Sequence, residues 1–277
     1  MSTNSVRRLL QSQASAIMGI INTTPDSFSD GGQFLAAEFA VKHGLKLVQE
    51  GADILDVGGE STRPGADSVS LQAELDRVIP VVERLVAETS TPVSIDTYKP
   101  QVMQAAVDAG ASMINDVNAL RANGALDVVQ TSNVPVCLMH MLGSPKNMQK
   151  APSYDNVVAD VIAFLNQRIK HCQSHGIDKH DLIVDPGIGF GKTVAHNLAL
   201  LKALPDLVEK TDCKVLIGVS RKSMIDTVLD RKVQERLPAG LGLAVQARLN
   251  GAKILRVHDV RATYDAVRAA EAVLRSR

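Results

Sequence analysis

The sequence predicts an α/β protein folded as a single (β/α)8 barrel. Three observations carry that expectation: eight short apolar runs each lead into a polar residue, segments of helical period lie between them, and no linker or low-complexity stretch divides the 277 residues. Strands buried on both faces and alternating with helices specify a parallel sheet with right-handed crossovers. Eight such units in about 250 residues match a closed barrel, whereas an open doubly wound sheet commonly has about five or six strands.

Taken in order, residues 1–15 read as a polar N-terminal extension carrying Arg7 and Arg8, and the barrel domain runs over 16–277. Strands are expected at 16–22 (AIMGIIN), 54–59 (ILDVGG), 93–97 (VSIDT) and 113–117 (MINDV). They continue at 136–140 (VCLMH), 182–187 (LIVDPG), 215–220 (VLIGVS) and 254–259 (ILRVHD). Leu71, Leu75, Val78, Ile79, Val82, Leu85 and Val86 follow the i, i+3, i+4, i+7 rule of a buried helix face, and so do Val158, Val161, Ile162, Leu165 and Ile169. Pro80 interrupts the first of these and is expected to bend it.

Composition excludes several function classes. Lys plus Arg equals Asp plus Glu at 30 each, so the basic footprint of a nucleic-acid binder is missing. With three Tyr, five Phe and no Trp, the core must be aliphatic and an aromatic platform for bases or sugars is not expected. Cys137, Cys172 and Cys213 form no CxxC pair and read as buried thiols of a reducing compartment. No apolar run approaches the roughly 18 residues of a membrane span, and nothing resembles a signal peptide, so a cytoplasmic protein without membrane contact is expected.

The barrel reading has a positional consequence, because the chemistry of this fold sits at the C-terminal ends of the strands. Asn22, Asp96, Asn115, His140, Asp185, Ser220 and His258 fall there, and Arg256 shares a face with His258 because strand residues two apart point the same way. Two segments rich in turn formers, 22–32 (NTTPDSFSDGG) and 58–67 (GGESTRPGAD), read as long loops over that face, with Phe28 and Arg63 standing out in them.

Two apparent motifs do not survive inspection. The segment 186–193 (PGIGFGKT) imitates a Walker A loop, yet Pro186 stands where its first glycine is required and removes a backbone donor. It is expected instead to turn tightly and bring Asp185 and Phe190 to the barrel mouth. His171 and His175 sit one helical turn apart but without the Glu of HExxH, and they read as cations complementing a helix C-terminus rather than as zinc ligands. The segment 218–224 (GVSRKSM) is stronger, placing Arg221 and Lys222 where a helix begins and an anion is well held. Together the candidates make a two-sided site. Carboxylates and an amide (Asp96, Asn115, Asp185) suit a ligand edge with adjacent N–H donors, such as an aminopyrimidinone; Arg63, Lys222, Arg256 and His258 suit phosphate or carboxylate.

Eight stretches in order along the chain, 22–32, 56–65, 94–100, 114–117, 137–149, 185–192, 218–225 and 256–260, resemble the dihydropteroate synthase family of folate biosynthesis. The resemblance implies condensation of 6-hydroxymethyl-7,8-dihydropterin pyrophosphate with p-aminobenzoate, giving 7,8-dihydropteroate and pyrophosphate. It implies that Asp96, Asn115, Asp185 and Lys222 hold the pterin, with Asp96, Asp185 and Lys222 taking part in catalysis. Phe28, Thr62, Arg63, Pro64, Phe190 and Ser220 would shape the aminobenzoate side, Arg256 and His258 would take the pyrophosphate, and Asn22 would ligate Mg2+. A homodimer is implied as well. Thr23 and Tyr98 depart from the residues frequent in the family, and the bulk of Tyr98 is expected to affect the loop beside the pterin pocket. Two other readings are a pterin-binding methyltransferase barrel, which would partner a cobalamin-binding module, and a barrel that binds without turnover. Lys222 within SRKSM and the TPDSFSD loop favour the synthase.

Overall fold

The computed structural model describes residues 3–23, 33–62 and 65–276. Eight parallel strands close into a barrel in strict chain order: β1 (Ala16–Asn22), β2 (Ile54–Gly58), β3 (Val93–Asp96), β4 (Met113–Asp116), β5 (Val136–Met139), β6 (Leu182–Asp185), β7 (Lys214–Ile217) and β8 (Ile254–Val257). β1 pairs with both β2 and β8, which closes the ring. The helices are α1 (Thr3–Gln11), α2 (Gln33–Gln49), α3 (Leu71–Glu88), α4 (Pro100–Asp108), α5 (Ala125–Ser132) and α6 (Val157–Ser174). They continue with α7 (Val194–Lys202), α8 (Leu204–Thr211), α9 (Ser223–Leu229), α10 (Leu237–Leu249) and α11 (Val260–Arg275). β1 ends where expected and the other seven strands stop short of their expected ends; β7, for instance, ends at Ile217 instead of 220, so Ser220 stands in the loop beyond it.

Strand alternation sorts the apolar residues into two sets. Ile17, Leu55, Ile95, Ile114, Leu138 and Val184 point outward into the layer shared with the surrounding helices. Met18, Ile54, Met113, Cys137, Ile183, Leu216 and Ile254 fill the barrel interior at its lower end. Residues 3–15 are no loose extension at this point, since Val6 and Leu10 of α1 join this lower cluster and close that end of the barrel. Arg7 fastens α1 there by donating from Nε and Nη2 to the two oxygens of Asp181, each at 2.7 Å. α3 runs through Pro80 without a break. Pro80 is exposed, so the carbonyl one turn earlier that lacks its donor faces water. All three cysteines are buried and free, and among the described residues no helix is long and apolar enough to cross a membrane.

Candidate active site

At the upper end of the barrel, the inward-facing residues are charged or polar. Asp56 lies wholly buried two residues beyond Ile54 on β2, Asp96 ends β3, Asn115 lies on β4 and Arg256 on β8. Arg256 donates from Nε to Asp56 Oδ2 (2.6 Å) and from Nη2 to Asp96 Oδ2 (2.7 Å), while Asn115 Nδ2 donates to Asp56 Oδ2 (3.0 Å). Asp96 and Asn115 are register partners, which aims both into the same space. The other oxygen of Asp56, Oδ1, has no hydrogen-bond partner among the described residues, although it is buried. A buried carboxylate oxygen left in this way is an acceptor available to a ligand N–H.

Electrostatics separate the groups. Burial pushes the Asp96 carboxyl up, Arg256 pulls it back, and Asp56 raises it further. Burial works against the charge of Arg256, but Asp56 and Asp96 outweigh it and hold the guanidinium above its ordinary value. Asp185 ends β6 and is also raised by burial, while Oδ1 accepts the Gly187 N–H at 2.7 Å. Lys222 follows β7; burial pushes its ammonium down to about 8 against the pull of Asp185. Its Nζ stands 4.3 Å from the centroid of the Phe190 ring. Phe190 and Tyr98 border a small apolar cluster of Val117, Met139, Met141 and Met148 beside the acidic floor. Farther out, Ser220 Oγ accepts the His258 N–H (3.2 Å) and lies 3.0 Å from His258 Nδ1.

Several expectations take a different form in the structure. Arg256, expected on a basic rim with His258, belongs to the acidic floor, because β8 ends at Val257 and places Arg256 one layer deeper than His258. His140, expected at the mouth, faces away from it: Met139 takes the inward position, so the next residue points outward, and its ring packs edge-on against Phe164 at 4.9 Å. Arg221 is held outside by Asp259 (2.6 Å), leaving Lys222 as the inward cation of the pair. His171 and His175 are exposed; His175 Nδ1 sits 2.8 Å from the His171 carbonyl at the end of α6. Among the described residues no group of three or more His, Cys, Asp or Glu is arranged to hold a metal. Asn22 ends β1 with its side chain exposed, and Thr62 is half-buried in the segment after β2. Phe28, Arg63 and Pro64 lie outside the described residues.

Tyr98 acts as a tie: its hydroxyl donates to Glu60 Oε1 at 2.8 Å, and neighbouring Lys99 bonds both Glu60 and Glu74. The β3 loop is thereby fastened to the start of the β2 loop. Sequence reasoning missed Asp56 as a site residue, although a lone carboxylate two places from Ile54, inside an otherwise apolar strand, was a usable signal.

A closed barrel with carboxylates and an amide converging on its mouth defines a class of enzyme that grips a ring bearing adjacent N–H donors. Over residues 18–258 the chain matches the family model described as pterin binding enzyme. It is 48% identical over 261 residues to the dihydropteroate synthase of Escherichia coli strain K12, covering 94% of this chain and 92% of that one. It is 50% identical over 249 residues to that of Haemophilus influenzae, covering 90% of each. Among solved structures, the Xanthomonas albilineans dihydropteroate synthase with 4-aminobenzoic acid matches with a TM-score of 0.91 and 53% identity, covering 96% of this chain and 95% of that one. The same enzyme in complex with 7,8-dihydropteroate matches with a TM-score of 0.87 and 49% identity, over the same shares. The chain belongs to the pterin-binding enzymes and, within them, to the dihydropteroate synthases.

Proposed function

We propose that the barrel mouth condenses 6-hydroxymethyl-7,8-dihydropterin pyrophosphate with p-aminobenzoate, releasing pyrophosphate and forming 7,8-dihydropteroate. The observation that carries this reading is the convergence of Asp56, Asp96, Asn115 and Asp185 on one buried space with Lys222 beside it. Carboxylates only accept, so they suit the amino and ring N–H groups of a pterin; the Lys222 ammonium only donates, and suits its carbonyl or ring nitrogen. Each charge-assisted bond contributes about 1.5–3 kcal/mol.

Cleavage of the pterin methylene–oxygen bond sends its electron pair to the departing pyrophosphate and leaves a methylene cation. The floor carboxylates, fixed before the reaction starts, stabilise that cation where it forms. The aniline nitrogen then attacks the methylene carbon and loses its proton to solvent or to the pyrophosphate. Phe190 and the adjoining methionines would give the arylamine an apolar wall with Ser220 on the same side, and His258, in contact with Ser220 Oγ, would take the leaving group.

The donors fit Mg2+ sparingly held. Asn22 offers one exposed amide oxygen at the end of β1, and Mg2+ usually keeps several waters and is bound by about one or two protein groups plus substrate phosphates. When bound, the ion would neutralise charge on the departing pyrophosphate. A homodimer is supported by the exposed apolar residues Val228, Leu229, Val233 and Leu237 on α9, α10 and their connection. A cytoplasmic location is supported by three reduced, buried cysteines.

The test is pyrophosphate release by purified protein. Release that needs both substrates and Mg2+ supports the reading, and a folded protein that releases none defeats it. Asp96→Asn probes the role of charge: turnover close to normal would exclude electrostatic stabilisation by that carboxylate.

A further inference from the structure

The loop between β6 and α7 is held by its backbone at three consecutive carbonyls. The carbonyls of Gly189, Phe190 and Gly191 each accept from a side chain: Gln149 Nε2 (2.7 Å), Lys192 Nζ (3.0 Å) and Tyr154 Oη (2.8 Å). The Gly189 N–H donates to Asn197 Oδ1 at 2.8 Å. Glycines at 187, 189 and 191 all have positive φ, and the loop packs backbone to backbone on 140–142.

Lys192 is the buried cation of this set, 3% exposed. Its Nζ lies 2.9 Å from His140 Nδ1, 3.0 Å from the Phe190 carbonyl and 3.4 Å from the His140 carbonyl. Three donors thus meet three neutral acceptors. Burial pushes the His140 imidazole down to about 3, so it is neutral, and accepting on Nδ1 puts its proton on Nε2. The His140 ring is wedged against Phe164 and Tyr154, and Tyr154 in turn holds Gly191. Lys192 Nζ therefore joins a buried, packed ring on one side to the carbonyl of Phe190 on the other. A lysine is costly in such a place: burial lowers its affinity for the proton to about 7, opposed by Asp185.

We propose that Lys192 is a positioning residue for the arylamine substrate: by bonding the Phe190 carbonyl and the His140 ring together, it fixes where the Phe190 ring stands against Lys222. This rests on the reading of the site given above. Lys192 touches no reacting atom, so its influence falls on p-aminobenzoate affinity and selectivity rather than on turnover.

A double-mutant cycle with steady-state kinetics tests this. Lys192→Met is expected to raise KM for p-aminobenzoate about tenfold, with kcat within about threefold and KM for the pterin substrate within about twofold of wild type. Phe190→Ala raises the same KM by a similar factor. Because Lys192 acts through Phe190, the double variant is no worse than the poorer single one. Lys192→Gln keeps a donor for the Phe190 carbonyl and is expected to recover KM to within about threefold of wild type. If Lys192→Met does not fold, Lys192→Thr, whose hydroxyl is too short to reach the Phe190 carbonyl, takes its place in the cycle, with the same KM shift confined to p-aminobenzoate and lost on the Phe190→Ala background. Effects that multiply to about a hundredfold in the double variant, or equal shifts for both substrates, overturn the proposal alone. A wild-type protein that releases no pyrophosphate overturns the site reading together with it.

Discussion

Arg256 Nε donates to Asp56 Oδ2 across 2.6 Å, joining the last strand of the barrel to the second across 200 residues of chain. The same arginine reaches Asp96, so one guanidinium holds two buried carboxylates that would otherwise repel each other. The bond ties closure of the barrel to the geometry of the acidic floor.

Removing either partner is therefore expected to do more than remove one contact. Asp56→Ala leaves Arg256 with Asp96 alone and Asn115 Nδ2 without its acceptor, and a buried donor left unpaired in this way costs about 1–3 kcal/mol. Urea denaturation would register that loss. Asp56→Asn keeps the shape but not the charge. It is expected to lower kcat/KM for the pterin substrate by about 10- to 100-fold, the equivalent of one charge-assisted hydrogen bond. A near-normal Asn variant would show that Asp56 acts only as a strut.

Lys222 sets an alkaline limit. Its ammonium is held down to about 8, so its charge is complete below that pH and is lost as pH rises through it. The pH profile of kcat/KM for the pterin substrate should fall on this limb. Lys222→Arg, whose guanidinium does not deprotonate in the range, should move the limb to higher pH even if overall activity drops. A limb that stays in place in the Arg variant assigns it to another group.

Acid stability depends on Glu271 in α11. Burial favours its neutral form, but the Ser15 N–H (2.7 Å), Arg248 (2.6 Å) and the Ser15 hydroxyl outweigh this and take the carboxyl down to about 2. A depressed carboxylate stabilises the fold fully above its unfolded value of about 4.3 and loses that contribution as pH falls toward about 2. Glu271→Gln should lower stability by about 2–4 kcal/mol at neutral pH and flatten the acid limb of the denaturation midpoint. Wild-type and variant curves that run parallel from pH 5 to about 2 would contradict this assignment.

Two glycine positions should respond in opposite directions. A Cβ on Gly187 would lie 1.9 Å from the His140 carbonyl oxygen, and φ there is +70°. Gly187→Ala is expected to cost at least about 1–3 kcal/mol from backbone strain alone, and to weaken p-aminobenzoate binding by displacing the loop that carries Phe190. Gly240 in α10 meets nothing within 4 Å, so Gly240→Ala should stabilise the helix by about 0.5–1 kcal/mol. Thermal melts of the two variants bracket the wild type if this is right.

Much of the architecture was legible before any coordinates. Eight apolar runs lay where eight strands form, and Asp96, Asn115 and Asp185 stood at their ends because a parallel barrel exposes only those ends to a ligand. Less legible was the phase of each strand. Strands buried on both faces carry no alternating pattern, so nothing local says that Met139 faces the barrel and His140 the helices. A shift of one residue exchanges the two faces, which is how His140 came to be expected at the mouth.

By itself, then, the sequence determined the barrel, its order and the chemical types gathered at its upper end, since these follow from periodicity, turn chemistry and the spacing of polar residues. The partnerships, by contrast, come from the folded ring. Asp56 with Arg256, and Lys192 with His140 and Phe190, depend on ring closure and on how deep each side chain sits, and both are set by registers between strands distant in sequence. The basic rim expected from Arg256 became part of an acidic floor for that reason. Two residues of depth along β8 separate Arg256 from His258 and make its guanidinium the counterion of the Asp56 and Asp96 carboxylates.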